Sequence, residues 1–239
     1  MDRRPEPAKV VAIHQPNFFP WLGYFDKLHR CDEFVLLDTV QFPKKGGTWI
    51  NRVKVLVNGE ARWLTAPVNR NYHGYQDIRS TMFDESKPWR ATLVATLTAA
   101  YRRASHFKAT IELLSPLLLN PETRVAHYNE HAIRSLVTAL GISPRKLRIA
   151  SALSAQGASN ELLIAITQEL GGTHYLCGGG AGGYQDDAMF AAAGLQVSYQ
   201  SFEHPLYEQA NPRFVAGLSS IDALMHLGID GTKQLLGIR

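Results

Sequence analysis

The sequence has 239 residues, of which 45% are hydrophobic and 19% are charged, and its formal net charge is +4. This composition is ordinary for a globular protein that buries a core of its own. The two cysteines form no disulfide framework, no apolar run reaches the roughly 18 residues of a membrane span, and the basic residues form no dense stripe. We therefore expect a cytoplasmic protein that takes a small anionic substrate, with no nucleic-acid partner.

Residues 1–9 lack the apolar segment of a secretory signal, and they are expected to form a disordered tail. The rest of the chain, residues 10–239, is expected to form a single α/β domain. A helical insertion or cap is expected at residues 86–141.

The first informative stretch is residues 10–27, VVAIHQPNFFPWLGYFDK. An apolar run leads into a turn that contains two prolines, and a helical pattern follows. A buried strand that ends in a loop and then a helix is a common ligand position in α/β proteins. We expect His14 and Gln15 to lie at the strand end and to face the crevice. The alternative is a core strand ended by a capping histidine.

A second apolar run ends at Asp38, which should lie at the same edge of the sheet as His14. Asp38 could bind a metal, accept a proton or a hydrogen bond, or simply form a turn. The donor-rich loop that follows contains Lys45, Asn51 and Arg52. Arg52 can make paired hydrogen bonds to a phosphate or carboxylate, and Asn51 can position an amide or hydroxyl. Lys45 is either a further anion contact or a solvated surface charge.

Two alternating segments around Asn58-Gly59 predict a β-hairpin. The stretch from Trp89 to about residue 140 has helical periodicity, with Ser86 as the expected cap and Gly141 as the expected end. Beyond it, strands are predicted at 146–150, 173–177 and 195–200. They alternate with helices at 160–170 and 186–193. The tail 214–228 is expected to hold one more helix, capped by Ser219 or Ser220 and closed by Gly228. This alternation predicts a mostly parallel, Rossmann-like sheet.

Five glycines lie within residues 178–183, directly after a predicted strand and before a helix. Such a run can present several backbone N–H groups to a phosphate or carboxylate. The expected anion contacts are Gly178, Gly179, Gly180 and Gly182. The run matches neither GxGxxG nor a P-loop, so it does not specify the class of anion. The alternative is a flexible surface turn.

Two further groups could carry chemistry. Glu203 and His204 follow the last predicted strand and form an acid/base-capable pair, unless they belong to an ordinary surface turn. Cys177 lies at a strand end and could act as a nucleophile, with His204 or His14 as its base. Most buried cysteines, however, are inert small hydrophobes. No metal-binding spacing is present, and no resident metal is expected.

Several segments together resemble the WbqC-like family: HQPNFFPWLGYFDK, DEFVLLDTVQFPKKGGTWINR, YLCGGGAGGYQDD, FEHPLYEQ and LSSIDALMHLG. The resemblance covers nearly the whole chain. It implies a context of O-antigen or other surface-polysaccharide biosynthesis and supplies no mechanism.

A weaker likeness is to the nucleotidylyltransferase-like group that includes pantothenate synthetase. It implies a Rossmann-like (HUP-like) sheet and ATP or another nucleotide with Mg²⁺ as cofactor. His14 could match the group's first histidine. The Gly-His pair that follows there is absent, because Gly23 is followed by Tyr24, and no KMSKS-like or ISSTxIR-like loop is present.

The main hypothesis is a transferase or ligase that binds a nucleotide or another phosphorylated donor at the C-terminal edge of the sheet. His14 would stabilise charge that builds on the transferred group. Asp38 would hold a hydroxyl or a metal, and Glu203 with His204 would handle the proton. The alternatives are a Cys177-dependent (amino)acyltransferase acting on an amino sugar, and a non-catalytic binding module of a biosynthetic complex.

Overall fold

The computed structural model describes residues 8–44, 48–179 and 185–239. The chain divides into two compact units. The first unit combines the chain up to Gln15 with Asp26–Leu37 and Arg145–Phe202, and the second comprises Pro16–Phe25, Asp38–Pro144 and Glu203–Arg239. The helical stretch 86–141 thus groups with other segments of the second unit.

The described residues form strands and helices that alternate in the first part and the last part of the chain. In chain order they are β1 (Val10–His14), α1 (Leu22–His29), β2 (Glu33–Leu36), β3 (Arg52–Val57), β4 (Glu60–Thr65), α2 (Trp89–Tyr101), α3 (Phe107–Leu118), α4 (Val125–Ala139), β5 (Leu147–Ile149), α5 (Ser159–Glu169), β6 (His174–Cys177), α6 (Asp187–Ala192), β7 (Gln196–Tyr199) and α7 (Ser220–Leu235).

Five of these strands form one parallel sheet in the first unit, in the order β5-β2-β1-β6-β7. The predicted parallel, Rossmann-like α/β fold is therefore confirmed. β1 is central because its uncharged run VVAI can be buried on both faces. Its residues Val11 and Ile13 pack in a core cluster with Tyr175 and Phe190.

The second unit contains the predicted β-hairpin. β3 and β4 pair antiparallel, from Arg52 opposite Thr65 to Val57 opposite Glu60. Both turn residues have positive φ, 54° at Asn58 and 78° at Gly59. A two-residue turn of this kind matches the right-handed twist of the strands, which explains why the Asn-Gly pair predicted it correctly.

An aromatic cluster forms part of the core of the second unit. The ring of Phe18 stacks on that of Tyr128, with centroids 5.6 Å apart, and Phe83 and Trp89 pack edge-on around them. No helix among the described residues is both long and apolar enough to cross a membrane.

Two predicted helix ends are wrong. Ser86 does not cap α2, because the helix begins at Trp89 with Pro88 at its N-cap and the Ser86 hydroxyl donates to Asp84 instead. Gly228 does not close the last helix but interrupts it, with a φ of 69°, and the helix continues to Leu235. Ser219 is the N-cap of α7, and its hydroxyl accepts from the N–H of Ile221.

Candidate functional site

The C-terminal edge of the parallel sheet carries the first candidate site. β2 and β5 lie on one side of β1, and β6 and β7 lie on the other. The connections from β1 and β6 therefore lead away in opposite directions, which is the arrangement that opens a ligand crevice in parallel α/β sheets. His14 is the last residue of β1, and Gly178 follows directly after β6. The structure thus places these two predicted site residues at the ends of neighbouring strands.

His14 is a partly buried, neutral imidazole at neutral pH. Burial, followed by the nearby Lys27 ammonium, lowers the pKa of His14 to about 4. Its Nδ1 lies 3.0 Å from the main-chain oxygen of Gln15, an oxygen that can only accept. Nδ1 therefore carries the proton and Nε2 does not. His14 is therefore uncharged at neutral pH and has a lone pair on Nε2, and its low pKa makes it a weaker base than an ordinary imidazole.

Lys27 is a candidate functional residue that the sequence did not reveal. Its side chain is 2% exposed, and its ammonium donates a hydrogen bond of 2.9 Å to the main-chain oxygen of Ile13. Burial lowers the pKa of Lys27 to about 8, and the thiols of Cys177 and Cys31 act weakly in the opposite direction. No ion pair joins Lys27 to a carboxylate in the ranges that the structure describes. The β1 end therefore carries a buried cation without a counter-charge.

The neighbour of Lys27 on α1, Asp26, has charged and polar side-chain partners in the same unit. Asp26 accepts from Arg30 at 2.9 Å and from the side-chain amide of Gln200 at 2.7 Å. α1 is buried almost all round, so helical periodicity gave no polar face on which to place its charges. The available signal was the Asp-Lys pair inside an otherwise apolar helix between two parallel strands.

Cys177 lies in the core of the first unit and is 1% exposed. Burial raises the pKa of its thiol, so the thiol form dominates at neutral pH. Its Sγ lies 3.5 Å from the side-chain oxygen of Gln185. Gly178 and Gly179 follow it at the sheet edge. The other predicted anion contacts, Gly180, Gly182 and Lys45, lie outside the described residues.

The remaining predicted site residues belong to the second unit. Asp38 is 2% exposed, and its main-chain oxygen accepts from the N–H of Arg79. Asn51 is buried, and its side-chain amide donates to the main-chain oxygen of Ala66 at 2.9 Å. This bond holds the open end of the hairpin together, which is a structural role.

Glu203 and His204, the predicted acid/base-capable pair, follow β7 and belong to the second unit. Glu203 is exposed, and within the described residues it takes part in no hydrogen bond or ion pair. His204 Nδ1 accepts from the N–H of Gly217 at 3.4 Å, and its ring lies 5.3 Å from that of Trp21. Burial and, to a smaller extent, the Lys54 ammonium lower the pKa of His204.

The proline-flanked turn at 16–20 is buried in the second unit, unlike the partly exposed His14 and Gln15. Its backbone is held at four points by residues of the same unit. The contacts are Asn129 to Pro16 O at 2.9 Å, Phe18 N to Trp49 O at 2.7 Å, Ser219 Oγ to Phe19 O at 2.7 Å and Ser220 N to Pro20 O at 2.9 Å. The turn therefore has a structural role.

A buried polar cluster in the second unit was also missed. Asp222 on α7 is fully buried, and it accepts from the hydroxyls of Tyr101 at 2.8 Å and Tyr207 at 2.7 Å. The Tyr101 hydroxyl in turn accepts from the N–H of Leu56. Burial raises the pKa of Asp222, while the two phenols and the nearby His226 act in the opposite direction.

The described ranges contain no group of three His, Cys, Asp or Glu side chains that could hold a metal ion. A family model described as the WbqC-like protein family matches residues 15–234. The chain belongs to the WbqC-like protein family. The match includes Lys27, the buried turn at 16–20 and Asp222, so the WbqC-like region spans parts of both units.

One curated relative of this WbqC-like chain is named "Uncharacterized protein Rv1507c" and comes from Mycobacterium tuberculosis (strain ATCC 25618 / H37Rv). It is 29% identical over 229 residues, which cover 95% of this chain and 97% of the relative. No solved structure matches the chain.

Proposed function

We propose that this WbqC-like protein is a transferase of surface-glycan or specialised-metabolite biosynthesis. It binds a nucleotide or another phosphorylated donor at the C-terminal edge of its parallel sheet. Family membership suggests a biosynthetic role of this general kind. The observation that carries the specific proposal is the buried Lys27 ammonium at the end of β1.

A buried ammonium is costly unless an opposite charge lies close to it. Lys27 has one backbone oxygen as its hydrogen-bond acceptor and no carboxylate partner among the described residues. An anion bound at the strand ends would supply the missing counter-charge. A phosphate fits this position, since Gly178 and Gly179 place backbone next to it and parallel sheets bind ligands at such an edge.

Two side chains at the end of β1 have separate roles in the proposed reaction. Lys27 stabilises the phosphate-bearing part of the donor. His14 Nε2 accepts the proton that the acceptor's hydroxyl or amine loses as it bonds to the transferred group. The phosphate-bearing part then leaves with its bonding electron pair. ATP or another nucleotide with Mg²⁺ is the first donor to test, because amide N–H groups and an ammonium suit phosphate oxygens.

The test is a calorimetric and thermal-shift screen of nucleotides, nucleotide sugars and acyl donors. We expect Lys27→Met to weaken binding of the phosphorylated donor at least tenfold. The matched control is Lys146→Met, because Lys146 belongs to the same unit and also donates to backbone oxygens, those of His29 and Cys31. It lies at the start of β5, away from the C-terminal edge, so its removal should leave the dissociation constant unchanged.

The pH dependence gives a second readout. A bound anion favours the protonated Lys27, so donor affinity should fall as the pH rises through about 8. Lys27→Met should lack this fall. Equal affinity in the wild type and in Lys27→Met, or the absence of any phosphorylated ligand, would rule the proposal out.

The Cys177-dependent acyltransferase gains no support from the geometry of the thiol. Cys177 is buried, and burial raises the pKa of its thiol, which lowers the fraction of reactive thiolate. A non-catalytic binding module predicts donor binding without turnover. If the protein is such a module, His14→Asn, which removes the proposed proton acceptor and keeps the donor site, should leave donor binding unchanged.

A further inference from the structure

The hairpin of the second unit carries two cations on one face. Arg52 and Lys54 are two residues apart on β3, so their side chains point the same way at a spacing of roughly 7 Å. Both are partly buried. Trp63 on β4 lies directly opposite Lys54 and therefore shares this face. We call Arg52, Lys54 and Trp63 the hairpin face.

Neither cation of the hairpin face has a counter-charge within the described ranges. The one ion pair of the hairpin joins Arg62 to Glu60, and both residues occupy the opposite face of the strand, by the alternation of side chains. The Nε–H of Arg52 is buried and has no acceptor. A buried donor without an acceptor is energetically costly, so an oxygen that reached this N–H would stabilise it.

Aromatic rings adjoin these cations. The Arg52 guanidinium lies 3.9 Å from the ring centroid of Trp63, and the ring of Trp49 meets Trp63 edge-on at 4.7 Å. Trp63 is 38% exposed, so part of its indole is open to solvent. His204 lies next to Lys54 and adds a further polar ring at this end of the face.

We propose that the hairpin face binds a small phosphorylated ring compound. The phosphate lies between Arg52 and Lys54. Its oxygens can accept hydrogen bonds on several sides, so it can bind both side chains at once. The ring of the ligand packs on Trp63. Two cations within one short stretch of strand suit a single phosphate, whereas a nucleic-acid strand needs a longer basic stripe.

The residues of this face all belong to the second unit, whereas those of the donor site proposed above belong to the first. The same chemistry could come from a sugar phosphate or from a nucleoside monophosphate, since both place a phosphate next to a ring with a flat apolar surface. The probes are therefore glucose 1-phosphate and AMP. Inorganic phosphate and free glucose report on the two halves of the ligand.

Binding is measured by calorimetry and by the tryptophan fluorescence of the protein. We expect Arg52→Gln to weaken the preferred phosphorylated probe at least tenfold. Trp63→Ala should weaken it about tenfold, the range seen when an aromatic stacking partner is removed. Arg62→Gln is the matched control, because it removes a charge from the opposite face of the same hairpin, and its binding should equal that of the wild type.

The Lys27→Met variant separates this site from the donor site. Binding at the hairpin face persists in Lys27→Met and is lost in Arg52→Gln, whereas donor binding shows the opposite pattern. The inference is overturned if neither probe binds folded protein at millimolar concentration, or if Arg62→Gln weakens binding as much as Arg52→Gln. The melting temperature of each variant identifies any loss of affinity that comes from unfolding.

Discussion

Lys27 in the first unit and Asp222 in the second are both deeply buried charged side chains, and their environments differ. Asp222 in the second unit accepts from two phenols and has His226 nearby, and these groups oppose the rise in its pKa that burial causes. Lys27 in the first unit has one backbone acceptor and a pKa of about 8. A compensated buried charge stabilises a fold, while an uncompensated one lowers stability and is kept where a ligand supplies the partner. The comparison supports a structural role for Asp222 and the functional role proposed for Lys27.

The largest effect is expected for Asp222→Ala. This substitution leaves the buried hydroxyls of Tyr101 and Tyr207 without their acceptor, and we expect a loss of about 3 kcal/mol in the free energy of unfolding. Urea denaturation measures the change. Asp230→Ala, at an exposed position of the same helix, should leave the stability unchanged. A loss of the same size in both variants would remove the structural assignment of Asp222.

Lys27→Met should change stability in the opposite direction. The pKa of Lys27 is about 8 in the folded chain against an ordinary 10.5, so the unfolded chain binds more protons between these pH values and wild-type stability rises with pH across them. Removal of the ammonium should therefore stabilise the protein at pH 7 by about 2 kcal/mol, after the lost hydrogen bond is counted.

The gain from Lys27→Met should shrink to under about 1 kcal/mol at pH 10, where the wild-type amine is neutral in the folded state. Denaturation curves of both proteins at pH 7 and pH 10 test this. A destabilised Lys27→Met at pH 7 would mean that the lysine is compensated after all and that the contrast with Asp222 is false.

The smallest effect is expected for Tyr207→Phe, which removes one of the two donors to Asp222. The cost should be about 1–2 kcal/mol at pH 7 and less at pH 4, because the phenol stabilises the ionised carboxylate more than the protonated one. Tyr199→Phe is the control, since this exposed hydroxyl also donates to a carboxylate, that of Asp187. Equal effects in the two variants would show that burial does not matter here.

The parallel sheet and the hairpin could be predicted because the sequence signals for them are local. The run Val10–Ile13, the Asn58-Gly59 turn and the glycines after the strands each act within a few residues. The predicted position of His14 at a strand end followed from the same pattern. The predicted helix boundaries were less accurate, because Ser86 had a nearer partner in Asp84 than the helix N-terminus.

The buried polar groups could not be predicted, because their partners are distant in the sequence. Tyr101 is 121 residues from Asp222, and Asn129 is 113 residues from Pro16. Hydropathy treats a charged residue as a surface residue, so Lys27 was passed over although it lies among apolar neighbours. The turn at 16–20 was interpreted as a ligand loop, because its sequence does not show which of its backbone carbonyls accept hydrogen bonds from distant residues.

Gly23 has a consequence for how this sequence can vary. A methyl group at this position would overlap the six-membered ring of Trp21, which lies against the Gly23 backbone. Any larger residue would push the indole aside and break its contact with the His204 ring. Positions 21 and 23 should therefore covary in related chains, with glycine retained wherever the bulky aromatic is present and free to change where it is replaced by a smaller residue.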